Sequence, residues 1–186
     1  INANQPTAVS IASTLGGSVC LGSGQNIALT GTPAGGTFSG TGISGNTFVT
    51  TGLSAGFYSI TYTYINANGC TSTTQTTLVI RPSVVASANP ITSTICSGQS
   101  VTLSANTGAG LSYQWLLNGN PISGANQGSY TATAGGTYTV EVTSGGCSAF
   151  SNNAIVSIDV PPSLSVSGNL TICRGTSTTL TLSGAD

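Results

Sequence analysis

The chain has 186 residues and five charged side chains, Arg81 and Arg174 against Glu141, Asp159 and Asp186, with no His and no Met. Two arginines cannot neutralise the row of phosphates that a nucleic-acid grip uses. The near absence of His, Lys and carboxylates removes the usual general acids and bases, and the residues needed for zinc or calcium coordination are not clustered. The composition therefore predicts a protein that is not an enzyme, has no metal or other cofactor and no nucleic-acid partner, and works through shape, backbone and neutral side chains.

Apolar residues make up 38% of the chain, and the net charge is only −1, so the composition is not that of a disordered polymer. Val, Ile, Thr, Tyr and Phe favour pleated strands. No run of 18 apolar residues occurs, so no membrane-inserted helix is expected. The opening INANQPTAVS has neither a basic region nor an apolar one, so it is not read as a signal peptide, and any export signal is expected to lie outside it or to have been removed.

In chain order, alternating segments predict strands near 8–12, 26–30, 36–39, 46–50, 57–65 and 75–80. A second set is predicted near 84–88, 100–105, 111–117, 129–133, 136–143 and 153–158. Asn118-Gly119, directly after Tyr113-Gln114-Trp115-Leu116-Leu117, marks a tight hairpin turn. No segment shows a helical apolar period. The pattern predicts an all-β fold of antiparallel sandwiches.

The cysteines divide the chain. Cys20, Cys70, Cys96, Cys147 and Cys173 are separated by 50, 26, 51 and 26 residues. Val19-Cys20-Leu21-Gly22, Ile95-Cys96-Ser97-Gly98 and Ile172-Cys173-Arg174-Gly175 share one pattern, and Gly69-Cys70 and Gly146-Cys147 share another. Such periodicity indicates tandem repeats. The expected division is a tail of a preceding repeat at 1–5, a first repeat at 6–81, a second at 82–160 and the start of an incomplete third at 161–186. Proline marks the joints at Pro6, Pro82 and Pro161-Pro162. The matched spacing predicts disulfides Cys20–Cys70 and Cys96–Cys147, one per repeat, with Cys173 unpaired because its partner would follow Asp186. Disulfides imply an oxidising compartment.

The second repeat resembles an immunoglobulin-like domain. The residues that carry the likeness are Gly98-Gln99-Ser100-Val101-Thr102-Leu103-Ser104, Tyr113-Gln114-Trp115 and Gly136-Thr137-Tyr138-Thr139-Val140. The resemblance implies that Trp115 is the core tryptophan and Tyr138 the corner tyrosine. Ala105 and Val140 stand where antibody domains place their cysteines, so the core is expected to be apolar there. Tyr58 is the counterpart of Tyr138 in the first repeat and is also expected in the core.

The first repeat, with Gly35-Gly36-Thr37-Phe38-Ser39-Gly40-Thr41-Gly42 and Gly56-Phe57-Tyr58-Ser59-Ile60-Thr61-Tyr62, resembles the glycine-rich repeats of giant surface proteins of Bacteroidetes. These include gliding-motility adhesins exported by the type IX secretion system. The resemblance implies a cell-surface location and a non-enzymatic stalk or adhesin segment. Its partners would be neighbouring repeats of the same chain, with surface polysaccharide or other cell-surface proteins as further candidates.

Rival readings attach to particular residues. The threonine runs 71–77 and 176–181 could form a flat face for ice or polysaccharide, but alternate threonines more often form the wetted side of a strand. Tyr64, Tyr130 and Phe150 are the candidates for surface sugar stacking. Gly35-Gly36 fits a turn better than a phosphate cradle, because no lysine follows. An accessory role beside a secreted hydrolase remains a further alternative.

Overall fold

The structure is a computed structural model that describes residues 7–160, 164–167, 171, 173–175 and 177–184. The expected tail at 1–5 and the Pro161-Pro162 joint lie outside the described residues. Two compact units emerge, the first comprising 1–85 with 142–149 and the second 86–141 with 150–186.

Unit 1 is built from β1 (Ser10–Ser13), a short 3-10 turn (Thr14–Gly17), β2 (Ser18–Cys20), β3 (Ile27–Thr32), β4 (Thr37–Ser39), β5 (Ile43–Ser44), β6 (Thr47–Phe48), β7 (Gly56–Ile65) and β8 (Thr71–Arg81). They form two sheets, β1-β3-β6-β5 and β2-β8-β7-β4. The 3-10 turn lets the chain change sheets: β1 pairs antiparallel with β3, and β2 pairs parallel with the last strand, Cys20 opposite Arg81.

β7 and β8 form a long hairpin in unbroken register from Gly56↔Ile80 to Ile65↔Thr71. Successive side chains of a strand point to opposite faces. Ile60, Tyr62, Leu78 and Ile80 therefore point inward and are buried, together with Val19, Ile27, Leu29 and Phe48.

Two glycines make room for Tyr62. A Cβ on Gly31 would lie 2.1 Å from the tyrosine Cζ, and one on Gly36 would lie 2.5 Å from it. Only hydrogen fits at either position. The Tyr62 hydroxyl donates to the Pro33 carbonyl and accepts the Gly36 N–H at 2.8 Å. Gly35-Gly36 thus serves a turn and a close ring contact.

The second half of the chain repeats the plan with β9 (Ala88–Asn89), β10 (Thr92–Cys96), β11 (Val101–Ala105), β12 (Ser112–Leu117), β13 (Asn120–Pro121), β14 (Ser129–Ala132), β15 (Gly136–Ser144), β16 (Cys147–Phe150) and β17 (Ala154–Asp159), of which residues 142–149 fall in unit 1. One sheet runs β14-β11-β9. The other runs β10-β17-β15-β12-β13, with β16 paired to β15. β10 again crosses over to pair parallel with the last strand, Cys96 opposite Asp159. Asn118 and Gly119, both at positive φ, turn β12 into β13 with Leu117 opposite Asn120. Beyond unit 2's sandwich, β18 (Leu164–Ser167) and β19 (Thr181–Gly184) pair antiparallel.

The fold is an all-β immunoglobulin-like sandwich. Of the predicted segment 84–88 only Ala88 lies in a strand, and the two-residue strands β5 and β13 were not predicted. β2, β10 and β16 were also not among the predicted strands. Each is only three to five residues long, and the first two consist of a cysteine pattern rather than a long alternation.

Candidate functional site: the cysteine strand and the hairpin arm

β15 is shared between the two units: Gly136–Glu141 belong to unit 2. Its last residues, 142–144, and the turn into β16 belong to unit 1. Gly145 and Gly146, at φ 57° and 83°, supply the left-handed backbone that this tight reversal requires. The arm ends at Cys147, which is buried.

Within unit 1, Cys147 forms a disulfide with Cys20 at the end of β2, with a Cα–Cα distance of 5.8 Å. Arg81, the register partner of Cys20, donates a hydrogen bond from Nη1 to the Gly145 carbonyl. A covalent bond and a charge-assisted hydrogen bond therefore help to hold the arm. Charged donors strengthen such bonds.

This pairing corrects the expected disulfides Cys20–Cys70 and Cys96–Cys147, and with them the expectation of one disulfide inside each repeat. The reason is strand length. Cys70 precedes Thr71 at one end of β8, whereas Cys20 lies beside Arg81 at the other end. Ten steps of extended strand separate the two ends by about 33 Å. A disulfide tolerates a Cα separation of at most about 7 Å.

The same argument applies in the second half of the chain. Cys96 lies beside Asp159, beyond the Gly136↔Val156 pair, whereas Cys147 follows Ser144 at the far end of β15. Those ends are at least about 26 Å apart. Cys70 sits at the tip of the β7–β8 hairpin, where its N–H donates to Asn66 Oδ1 at 2.9 Å. Cys96 and Cys173 are exposed.

The expected core residues fall as follows. Trp115, Tyr138 and Val140 are fully buried, and Ala105 is buried. The Trp115 indole N–H donates to the Gln127 carbonyl at 2.9 Å. The Tyr138 hydroxyl donates to the Ala134 carbonyl at 2.9 Å, four residues upstream. Tyr58 is half-buried and makes the same contact with the Ser54 carbonyl at 2.7 Å. Burial and the neighbouring Tyr130 push the Tyr138 phenol above its ordinary range, while its hydrogen bond to the Ala134 backbone acts in the opposite direction.

Tyr130 is not a surface platform. It is half-buried, with its ring centroid 6.3 Å from that of Trp115 and 5.8 Å from that of Tyr138. Tyr64 is half-buried, and Phe150 is exposed. Of the run 71–77, Thr71, Thr73, Gln75 and Thr77 are exposed on β8, opposite Ile65, Thr63, Thr61 and Ser59 on β7. Gln75 Nε2 donates to Thr61 Oγ1 at 3.1 Å across this polar face. Among the described residues, no group of three or more His, Cys, Asp or Glu is placed to hold a metal. No described helix is long and apolar enough to cross a membrane.

Residues 81–162 match the family model described as an Ig-like domain, CHU_C associated. No curated protein is significantly similar to the chain in sequence. Among solved structures, the chain is similar to murine CEACAM1b at 16% identity and TM-score 0.43, over 82% of this chain and 100% of that one. It is similar to titin domains I67–I69 at 12% identity and TM-score 0.42, over 91% and 72%. A four-Ig-domain structure of Dscam1 isoform 1.9 matches at 17% identity and TM-score 0.38, over 76% of this chain and 43% of that chain. Ig-like domains of this kind are typical of extracellular, adhesion-type proteins and are typically binding or structural modules.

Proposed function

We propose that this chain is a non-enzymatic, extracellular structural segment of a long repetitive bacterial surface protein, a stalk or adhesin section that supports adhesion or gliding. The observation that carries this reading is the Cys20–Cys147 bond, which closes a loop of 127 residues across two successive Ig-like stretches. Tension applied at the two ends of such a chain passes from Cys20 through sulfur to Cys147. It bypasses the hydrogen-bonded ladders in between. A ligand-binding module needs no such bypass, whereas a tether under load gains from one. The Ig-like family match to residues 81–162 supports the same reading, and the glycine-rich resemblance of the first stretch extends the proposal to export by a type IX system.

The test is surface labelling. Antibody raised to residues 7–160 should stain intact cells, and deletion of the segment from its parent protein should reduce adhesion or gliding while cells still grow normally. Staining that requires permeabilised cells would overturn the reading.

A second reading rests on the polar face of β7 and β8, where Thr61, Thr63, Thr73, Gln75 and Thr77 stand in facing rows. Such a face could bind polysaccharide. Saturable micromolar binding on a glycan array, lost on Thr63→Lys, would favour it.

A further inference from the structure

We propose that Cys96 is the covalent docking point for the Gly-Cys hairpin arm of a following repeat, so that disulfides join each repeat to the next along the array. The proposal deepens the stalk reading and rests on the repeat organisation. Two independent observations carry it. The first is that Cys20 already holds such an arm. The second is that Cys96 occupies the same local structure as Cys20.

The equivalence extends to individual bonds. Cys20 ends a strand parallel to β8, and Cys96 ends one parallel to β17. The next residue donates its N–H to the last strand in both cases: Leu21 to the Arg81 carbonyl at 2.8 Å and Ser97 to the Asp159 carbonyl at 3.1 Å. The turn is then closed onto the cysteine carbonyl, by Ser23 N–H at 3.1 Å and by Gln99 N–H at 3.0 Å. Cys20 is joined to Cys147, whereas Cys96 is an exposed thiol.

The partner follows from the arm seen at Cys20. It is a two-stranded tip with Gly-Cys at its turn, carried by a repeat of the same kind. The residue opposite the cysteine refines the choice. Arg81 donates to a carbonyl of the arm, but Asp159 can only accept. The arm received at Cys96 should therefore present a donor, either a backbone N–H or a basic side chain, where Gly145 presents its carbonyl.

The chemistry balances as an exchange. The Cys96 thiol and the tip thiol each lose a proton, and together they give two electrons to an oxidised protein dithiol of the oxidising compartment. That disulfide takes up the two protons and two electrons and leaves as two thiols, and one S–S bond forms between Cys96 and the tip cysteine. The loop closed from Cys96 would overlap the loop 20–147. Residues of the middle repeat would then lie inside two covalent loops at once, and no repeat could be pulled open without breaking a disulfide.

Non-reducing peptide mapping decides the matter in two samples. One is the full-length parent protein as secreted. The other is this chain with residues 82–160 repeated after Val160, the added copy carrying Phe150→Tyr as a mass mark and Cys96→Ser so that a single Cys96 remains. The expected result is a Cys96 peptide joined to the tip peptide of the following repeat, marked in the second sample, together with Cys20–Cys147. Maleimide labelling of Cys96, stoichiometric in the 186-residue chain, should be lost in both samples. Full labelling of Cys96 in the extended chain while Cys20–Cys147 forms would overturn the proposal. A link from Cys96 to the Cys147 of its own repeat would also overturn it. Neither result bears on surface labelling of the parent, so the stalk reading can fail or survive separately.

Discussion

Pulling the chain by its ends, with and without the Cys20–Cys147 bond, tests the central geometric claim. The bond spans 127 residues, and an extended chain covers at most about 3.3–3.6 Å per residue, so the oxidised protein should hide about 420–460 Å of contour length. In single-molecule force spectroscopy, the oxidised chain should extend only through the segments outside the loop. The Cys20→Ser variant, or the reduced wild type, should release the additional 420–460 Å. In bulk, closing a loop of this size should stabilise the fold by about 5 kcal/mol in the chain-entropy model, less any native strain. If reduction instead released two separate increments of roughly 165–185 Å, the loops would be the 50- and 51-residue ones suggested by cysteine spacing, and the strand-end argument would be wrong. Identical lengths for the oxidised and reduced chains would refute any such loop.

Other perturbations address the cores. Trp115→Ala should destabilise unit 2 by about 3–5 kcal/mol, as truncation of a fully buried aromatic does, measured by chemical denaturation followed by circular dichroism. Wild-type Trp115 should resist iodide quenching. Gly31→Ala should force Tyr62 off its seat and cost about 1–3 kcal/mol, whereas alanine at Gly45, where no atom lies within 4 Å of the added Cβ, should cost less despite its positive φ. Tyr58→Phe and Tyr138→Phe should each lose about 1 kcal/mol, the worth of the hydroxyl bond to the backbone carbonyl four residues earlier. The raised pKa of Tyr138 means that the folded state favours the neutral phenol. That contribution is complete below the ordinary tyrosine range near pH 10 and is lost as pH rises from there through the raised folded value, so unit 2 should weaken in alkali, less so in Tyr138→Phe.

Much of the fold was legible in local sequence because local sequence causes it. Alternation in Gly56–Ile65 and Gly136–Ser144 set the inward faces of β7 and β15. Asn118-Gly119 specified its turn through positive φ, and Trp115 and Tyr138 were recognisable from the short patterns around them. β2 and β10 were missed because three to five residues carry too little periodicity, and their pairing partner lies about 60 residues away in sequence. Tyr130 was misjudged because alternation in a four-residue strand does not show what covers its half-buried positions.

The cysteines separate the two kinds of information most clearly. Sequence determined their period and their [VI]-C-x-G and Gly-Cys settings. Tertiary structure decided their partner. Spacing counts residues along the chain, but a disulfide depends on which end of a strand each cysteine occupies. The 11 residues of β8 put Cys70 and Cys20 at opposite ends of one unit, while the β15–β16 arm brings Cys147 to Cys20 across 127 residues.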